Sequence, residues 1–244
     1  MNIAVVFAGG VGTRMNSKAL PKQFLSMHGK PIIIYTIEHF EQHKDIDAIV
    51  IACVGEWIEY LNGLIEKYNI KKVKKVVEGG KNGQLSIYNG LCAAEEVANG
   101  EKSIVLIHDG VRPLINEMLI SNNLESVKKN GSAITSVPVK ETVLMVKNDD
   151  DRRIDNIPNR YNTRLARAPQ SFWLDEIIEA HRKVLSEDKT DFIDSCSLMQ
   201  YMGKKMYLVD GPLENIKITT PDDFYTMRAL LDAKENEQIY GLEN

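Results

Sequence analysis

Cysteine is scarce in this 244-residue chain: Cys53, Cys92 and Cys196 lie far apart, with no paired spacing. Each falls in an apolar-periodic segment, so the expectation is three buried thiols and no disulfide framework, as in a reducing compartment. Long hydrophobic runs are missing too; none approaches the roughly 20 residues that a membrane-spanning helix needs. The first residues, Met1-Asn2-Ile3-Ala4-Val5-Val6-Phe7-Ala8, lack the charged start of a signal peptide, and a cytoplasmic location without membrane association is expected. Nor is there an excess of one charge, since 30 basic and 34 acidic residues give a formal net charge of -4. Such a balance offers no overall field for nucleic acid. An anionic ligand must therefore meet a local group of cations. Internal repeats, low-complexity tracts and interdomain linkers are absent, which leaves a single domain over residues 1–244 as the expected organisation.

What is present is an alternation of strand-like and helix-like segments. Ile3 to Ala8 is an apolar run ending in glycines, the pattern of a buried parallel strand opening into a tight loop. Residues 31–43 carry Ile33, Ile34, Ile37 and Phe40 at helical spacing, and residues 48–53 form a second apolar run. A helix over 56–68, a strand over 73–77, a helix around Leu85–Cys92 and a strand over 103–107 follow. This order predicts an α/β fold with a Rossmann-like, mostly parallel sheet flanked by helices. Residues 140–147 alternate, an acidic run follows, and 154–164 is rich in turn formers, which reads as a hairpin-like excursion from the sheet. Helices are expected over 174–185 and 192–202, and a strand over 205–209. A last helix is capped by Thr220, with Pro221 at its first position and Asp223 three residues after the cap. It is expected to end near Ala233.

The chemistry concentrates in Ala8-Gly9-Gly10-Val11-Gly12-Thr13-Arg14-Met15 and Pro21-Lys22-Gln23. Glycines after a first strand let backbone N–H groups approach phosphate oxygens, and Arg14 and Lys22 add cations. No Gly-Lys-Ser/Thr follows, so this is not a P-loop. Met15 stands where a dinucleotide fingerprint needs a third small residue, and Ala52-Cys53-Val54 closes the second strand without an acid. Both features count against a nicotinamide-dependent oxidoreductase. Asp109 ends the strand 104–107, at the sheet edge where open α/β sheets bind ligands.

These segments resemble the sugar-nucleotide transferases, and within them the branch of methylerythritol-phosphate and ribitol-phosphate cytidylyltransferases. Gly79-Gly80 with Ser86, His108-Asp109-Gly110-Val111-Arg112-Pro113, Pro138-Val139-Lys140-Glu141-Thr142, Pro169-Gln170-Ser171-Phe172 and Asn215-Ile216-Lys217-Ile218-Thr219 match that branch in order along nearly the whole chain. The resemblance implies attack by an acceptor phosphate on the α-phosphorus of CTP, with release of pyrophosphate. It places Arg14, Lys22 and Lys217 as the catalytic cations, and Ala8, Gly9, Gly10, Gly12, Thr13, Gly80, Ser86 and Asp109 around CTP. Asp109 is also the implied ligand of Mg2+. Thr142, Arg160, Asp194 and Arg112 are implied to contact the acceptor. Residues 139–165 would form a projecting arm exchanged between the subunits of a homodimer. Arg112, before Pro113, has a bracing role as its alternative. A phosphate monoester is already ionised at neutral pH, so His108 is not assigned as a base.

The match departs at three places. Lys81-Asn82-Gly83-Gln84-Leu85-Ser86 lacks the branch's usual Arg, for which Lys81 is a substitute; Ala168 replaces a Thr; and Gly110-Val111 stands between Asp109 and Arg112. The forms Glu56-Trp57-Ile58 and Pro169-Gln170-Ser171-Phe172 favour ribitol 5-phosphate as acceptor, in polymer-precursor synthesis, with a reductase as a possible supplier of the polyol phosphate. Methylerythritol phosphate is the alternative acceptor, and a non-catalytic CTP-binding regulator the alternative class.

Overall fold

The computed structural model describes residues 1–9, 20–148, 150 and 152–240. Its core is a seven-stranded sheet. β1 (Asn2–Ala8) lies between β4 (Ala48–Cys53) and β6 (Ile104–Asp109), parallel to both, and β5 (Val73–Glu78) extends the sheet beyond β4. Past β6 come β10 (Arg164–Trp173), β7 (Ser132–Pro138) and β11 (Leu208–Asp210). β10 runs antiparallel to both β6 and β7, so the sheet is mostly but not wholly parallel. Two small ladders, β2 (Ser26–Met27) with β3 (Lys30–Pro31) and β8 (Met145–Val146) with β9 (Ile154–Asn156), stand apart from it.

Helices cover both faces, which is why the central strands are apolar without alternation. Ala4 and Val6 face α1 (Ile32–Gln42), α2 (Ile58–Lys67) and α4 (Glu117–Asn130) through Ile37, Leu61 and Ile120. Ile3 and Val5 point the other way, towards α3 (Gly83–Ala98), α5 (Leu174–Ser186) and α6 (Ser195–Tyr201) through Leu91, Ile177 and Leu198. A smaller cluster of Ile32, Val111, Leu114, Ile218 and Met227 seats α7 (Pro221–Tyr240). Asp223 accepts from the Thr219 and Thr220 amides at 2.8 Å each, fixing the start of α7 where Pro221 predicts it. No helix among the described residues is long and apolar enough to cross a membrane.

Several boundaries differ from expectation. α7 continues to Tyr240 rather than ending near Ala233. The 192–202 helix starts at Ser195, because Asp194 caps it: its carboxylate accepts from the Ser197 amide at 2.8 Å. The strand expected over 205–209 narrows to β11, and the alternating stretch 140–147 pairs only through Met145 and Val146. β7 and β10 have no counterpart in the sequence reading. β7 reads Ser-Ala-Ile-Thr-Ser-Val-Pro, and its buried hydroxyls are satisfied internally: Asn123 donates to Thr135 at 3.1 Å and the Arg164 guanidinium to Ser136 at 2.8 Å.

The three cysteines are free thiols, Cys53 buried and the other two half-buried. Burial raises Cys53 and Cys196 to about 11, so neither presents a thiolate at neutral pH. His181 on α5 is 1% exposed, stacks on Tyr88 at 5.9 Å and has neither ring nitrogen hydrogen-bonded. Burial lowers both His181 and His108 to about 4. As pH falls below about 6.5 the unfolded chain takes up these protons while the folded chain does not, so stability declines until the folded imidazoles titrate near pH 4. Each site contributes roughly 3 kcal/mol to that decline. His181→Leu is expected to flatten the pH 6.5–4 limb of the urea-midpoint profile by about half. An unchanged slope would show that His181 titrates alike in both states.

Candidate active site

The C-terminal ends of β1, β5 and β6 open onto two adjoining cavities. One, of about 330 Å3, is lined by Ala8, Gly9, Lys22, Gln23, Lys81 and Ser86; the other, of about 250 Å3, by Arg112, Arg167, Gln170, Asp194 and Ser195. Phe7, Gly83, Asp109 and Lys217 line both. These four form the shared wall.

The first cavity is built by close backbone approach. Gly9, next to β1, lies against Ser86, and a Cβ there would sit 2.6 Å from the Ser86 Oγ. Gly80 is equally constrained, since a Cβ would meet that of Leu85 at 2.3 Å. Ser86 Oγ accepts from the Gly80 amide at 3.1 Å and donates to the Asn82 carbonyl at 2.8 Å, while the Asn82 side chain caps α3. Pro21 leads into a short 3-10 turn, Lys22–Phe24, whose Gln23 is 1% exposed and donates to the Ala8 carbonyl at 2.9 Å. That bond ties Lys22 to the end of β1. Gly10, Gly12, Thr13 and Arg14 lie outside the described residues.

Asp109 organises the shared wall. Its Oδ2 accepts from Arg112 Nε at 2.8 Å, and its Oδ1 lies 2.6 Å from Lys217 Nζ. Burial works against its charge, but the Lys217 and Arg112 cations and their hydrogen bonds outweigh it and hold the carboxyl at about 2. Lys217 comes from far along the chain and is positioned by the Ile218 amide donating to the Val111 carbonyl at 2.9 Å. Asn215, fully buried, donates to the Ala168 carbonyl at 2.6 Å, and its own carbonyl accepts from Arg112 at 3.0 Å. His108 is fully buried, contacts the Arg112 carbonyl at 3.0 Å and is neutral at physiological pH. It reaches neither cavity, in keeping with its not being assigned as a base.

The structure thus gathers Lys22, Lys217, Ala8, Gly9, Ser86 and Asp109 around one opening, with Gly80 behind Ser86. Arg112 takes the bracing role as well as a place in the second cavity, since Nε and Nη1 are committed to Asp109 and Asn215. Asp194 also has a structural task. One oxygen caps α6, and the other accepts from Gln170 Nε2 at 2.9 Å. Thr142 and Arg160 are exposed, and within one chain they line neither cavity. Among the described residues Arg160 donates to the Lys140 carbonyl, at 3.4 Å. Three polar residues lining the second cavity escaped the sequence reading as site residues: Arg167, Gln170 and Ser195. A charged residue just before Ala168-Pro169 was the available signal for the first.

Residues 2–233 match the family model for IspD, 2-C-methyl-D-erythritol 4-phosphate cytidylyltransferase. A ribitol-5-phosphate cytidylyltransferase of Streptococcus agalactiae serotype V is 54% identical over 242 residues, covering 99% of this chain and 100% of that one. A 2-C-methyl-D-erythritol 4-phosphate cytidylyltransferase of Clostridium botulinum is 38% identical over 231 residues, covering 95% and 97%. The crystal structure of the 4-diphosphocytidyl-2C-methyl-D-erythritol synthase of Anaerococcus prevotii superposes with a TM-score of 0.81 at 27% identity, over 95% of this chain and 96% of that one. With the glycine approach, the Lys217–Asp109 wall and the paired cavities in place, the chain belongs to the IspD family of cytidylyltransferases.

Proposed function

We propose that the chain transfers CMP from CTP to D-ribitol 5-phosphate, giving CDP-ribitol and pyrophosphate. The observation that carries the acceptor is the full-length identity of 54% to a ribitol-5-phosphate enzyme, against 38% to a methylerythritol-phosphate enzyme. The geometry supports the reaction, because two cavities meet at one wall holding Lys217 and Asp109. CTP occupies the cavity of Gly9, Lys22 and Ser86, and the polyol phosphate the cavity of Arg112 and Asp194. An acceptor phosphate oxygen attacks the α-phosphorus; the α–β bridging P–O bond breaks, and pyrophosphate leaves with those electrons. Because the nucleophile is already anionic, the protein's task is positioning and charge neutralisation. Lys217 stabilises the α-phosphate from the shared wall, and Lys22 with Arg14 the triphosphate.

Asp109 suits Mg2+: it is a hard oxygen donor kept ionised by its neighbours, and one carboxylate beside nucleotide phosphates is a common arrangement for that ion. When bound, the ion would neutralise charge between the phosphates of CTP. The arm, residues 139–165, supports a homodimer. Leu144 (53% exposed), Ile154 (54%) and Ile157 (54%) present apolar surface to solvent, and Thr142 and Arg160, implied to contact the acceptor, line neither cavity of their own chain. Ile157→Lys with Leu144→Glu is expected to shift the sedimentation of the protein towards monomer and lower its turnover.

The test is pyrophosphate release from CTP and Mg2+ with D-ribitol 5-phosphate and 2-C-methyl-D-erythritol 4-phosphate in parallel. At least tenfold higher kcat/KM with the ribitol compound is expected. Turnover of methylerythritol phosphate alone would overturn the acceptor and keep the reaction; CTP binding without turnover of either would favour a regulator.

A further inference from the structure

Among the described residues, Arg167 is a cation without a counter-ion. It sits on β10 where the register with β7 shifts between Ala166 and Gln170, so it is released from the ladder, and it lines the second cavity. Among the described residues its buried Nε has no hydrogen-bond partner, and its one bond is a 3.3 Å contact from Nη1 to the Asn215 carbonyl, which already accepts from Arg112. Among the described residues no carboxylate pairs with it. Burial and the neighbouring Arg112 both weaken its hold on its proton. Asp109, the nearest organising carboxylate, is already shared between Arg112 and Lys217. A half-buried guanidinium left in this state costs stability unless an anion completes it.

We propose that Arg167 binds the acceptor by clamping its phosphate monoester, from the same chain as the shared wall. A guanidinium offers two parallel donors that match the geometry of a phosphate and offers no acceptor to a hydroxyl. The hydroxyls of the acceptor meet a different set of groups. Ser195 is 2% exposed, lines the same cavity, and has an Oγ without any partner. Gln170 and Asp194 lie beside it, joined to each other at 2.9 Å. The cavity therefore carries a dianion clamp and a hydroxyl-binding group, which together describe a phosphorylated polyol. CTP is held in the other cavity, which Arg167 does not line. This inference rests on the reading of the chain as a polyol-phosphate cytidylyltransferase.

Arg167→Met is expected to raise KM for D-ribitol 5-phosphate roughly 10- to 100-fold, the loss of a charged hydrogen-bonding group, with KM for CTP unchanged. Arg167→Lys should recover part of that loss, and Ser195→Ala should raise KM for the polyol phosphate by a smaller factor. A shift confined to CTP, or none, would overturn the proposal. A second measurement separates it from the acceptor reading. Inorganic phosphate is titrated into protein saturated with a CTP analogue whose α–β bridging oxygen is a methylene. Binding that Arg167→Met weakens at least tenfold supports the clamp even if the wild type does not turn over ribitol 5-phosphate, an outcome that sinks only the acceptor. Equal binding by both proteins, or none by the wild type, overturns the clamp.

Discussion

Replacing Lys217 by Met is expected to lower kcat roughly 10²–10³-fold, the range seen when one preorganised donor to a transition-state charge is removed. The reaction places a phosphate dianion against the α-phosphate of CTP, and negative charge accumulates around the pentacoordinate phosphorus. Lys217 is the ammonium group that lines both cavities and lies on the wall between them. Its neighbour's backbone is anchored by the Ile218–Val111 hydrogen bond, and its ammonium lies 2.6 Å from Asp109 on that wall. The side chain is 40% exposed, but its loss leaves the buried Asp109 carboxylate with Arg112 alone, so a lower thermal transition is expected beside the fall in kcat. Lys217→Arg keeps the charge and should restore part of the rate. A kcat within threefold of wild type for Lys217→Met would remove this residue from the chemical step.

The second large effect is on stability. Asp109→Ala leaves Arg112, whose side chain is only 11% exposed, and Lys217 without their shared carboxylate. Removing one partner of a buried ion pair typically costs about 3–5 kcal/mol. The lower end is expected here, because Lys217 can turn towards solvent. The measurement is the urea midpoint at pH 7. The folded carboxyl is held at about 2, below its unfolded value, so its contribution is complete above about pH 4 and is lost as pH falls towards 2. The gap between wild type and variant should close over that interval. A gap constant down to pH 3 would mean that lost packing, and not lost charge, accounts for the difference. Activity should fall as well, since Asp109 faces both cavities.

β1, β4 and β6 are legible because they are continuous apolar runs, and α1 to α3 because they keep a regular apolar stripe. Ala48–Cys53 is buried at every position, so hydrophobicity alone marks it. β7 and β10 escape the same reading for one reason. They carry buried Ser132, Thr135, Ser136, Gln170 and Ser171, whose hydrogen bonds come from residues remote in sequence. A buried hydroxyl satisfied by Asn123 looks, in sequence, like an exposed one satisfied by water. The site divides along the same line. The placement of Gly9, Lys22, Asp109 and Lys217 around one opening follows from motifs, since each stands in a segment whose residue types suit an anionic ligand. Arg167 and Ser195 depend on a bulge and on a helix start capped by its neighbour, and neither has a sequence pattern of its own. The bracing by Arg112 is likewise visible only once Asn215 is seen beside it.

The contact between Lys217 and Asp109 has a consequence for selectivity among anions. The carboxylate is a built-in competing ligand for the ammonium, 2.6 Å away. An incoming anion must bind more strongly than this tethered rival, so its apparent affinity is reduced by the fraction of time the lysine is disengaged. A lone chloride or carboxylate offers little beyond what Asp109 already provides. A nucleotide triphosphate offers several charged oxygens at once, and in the proposed reading it would displace the rival with further contacts from the cavity that Gly9 and Ser86 line. The resting pair thus behaves as a threshold: it discounts weak anions and admits the polyvalent one.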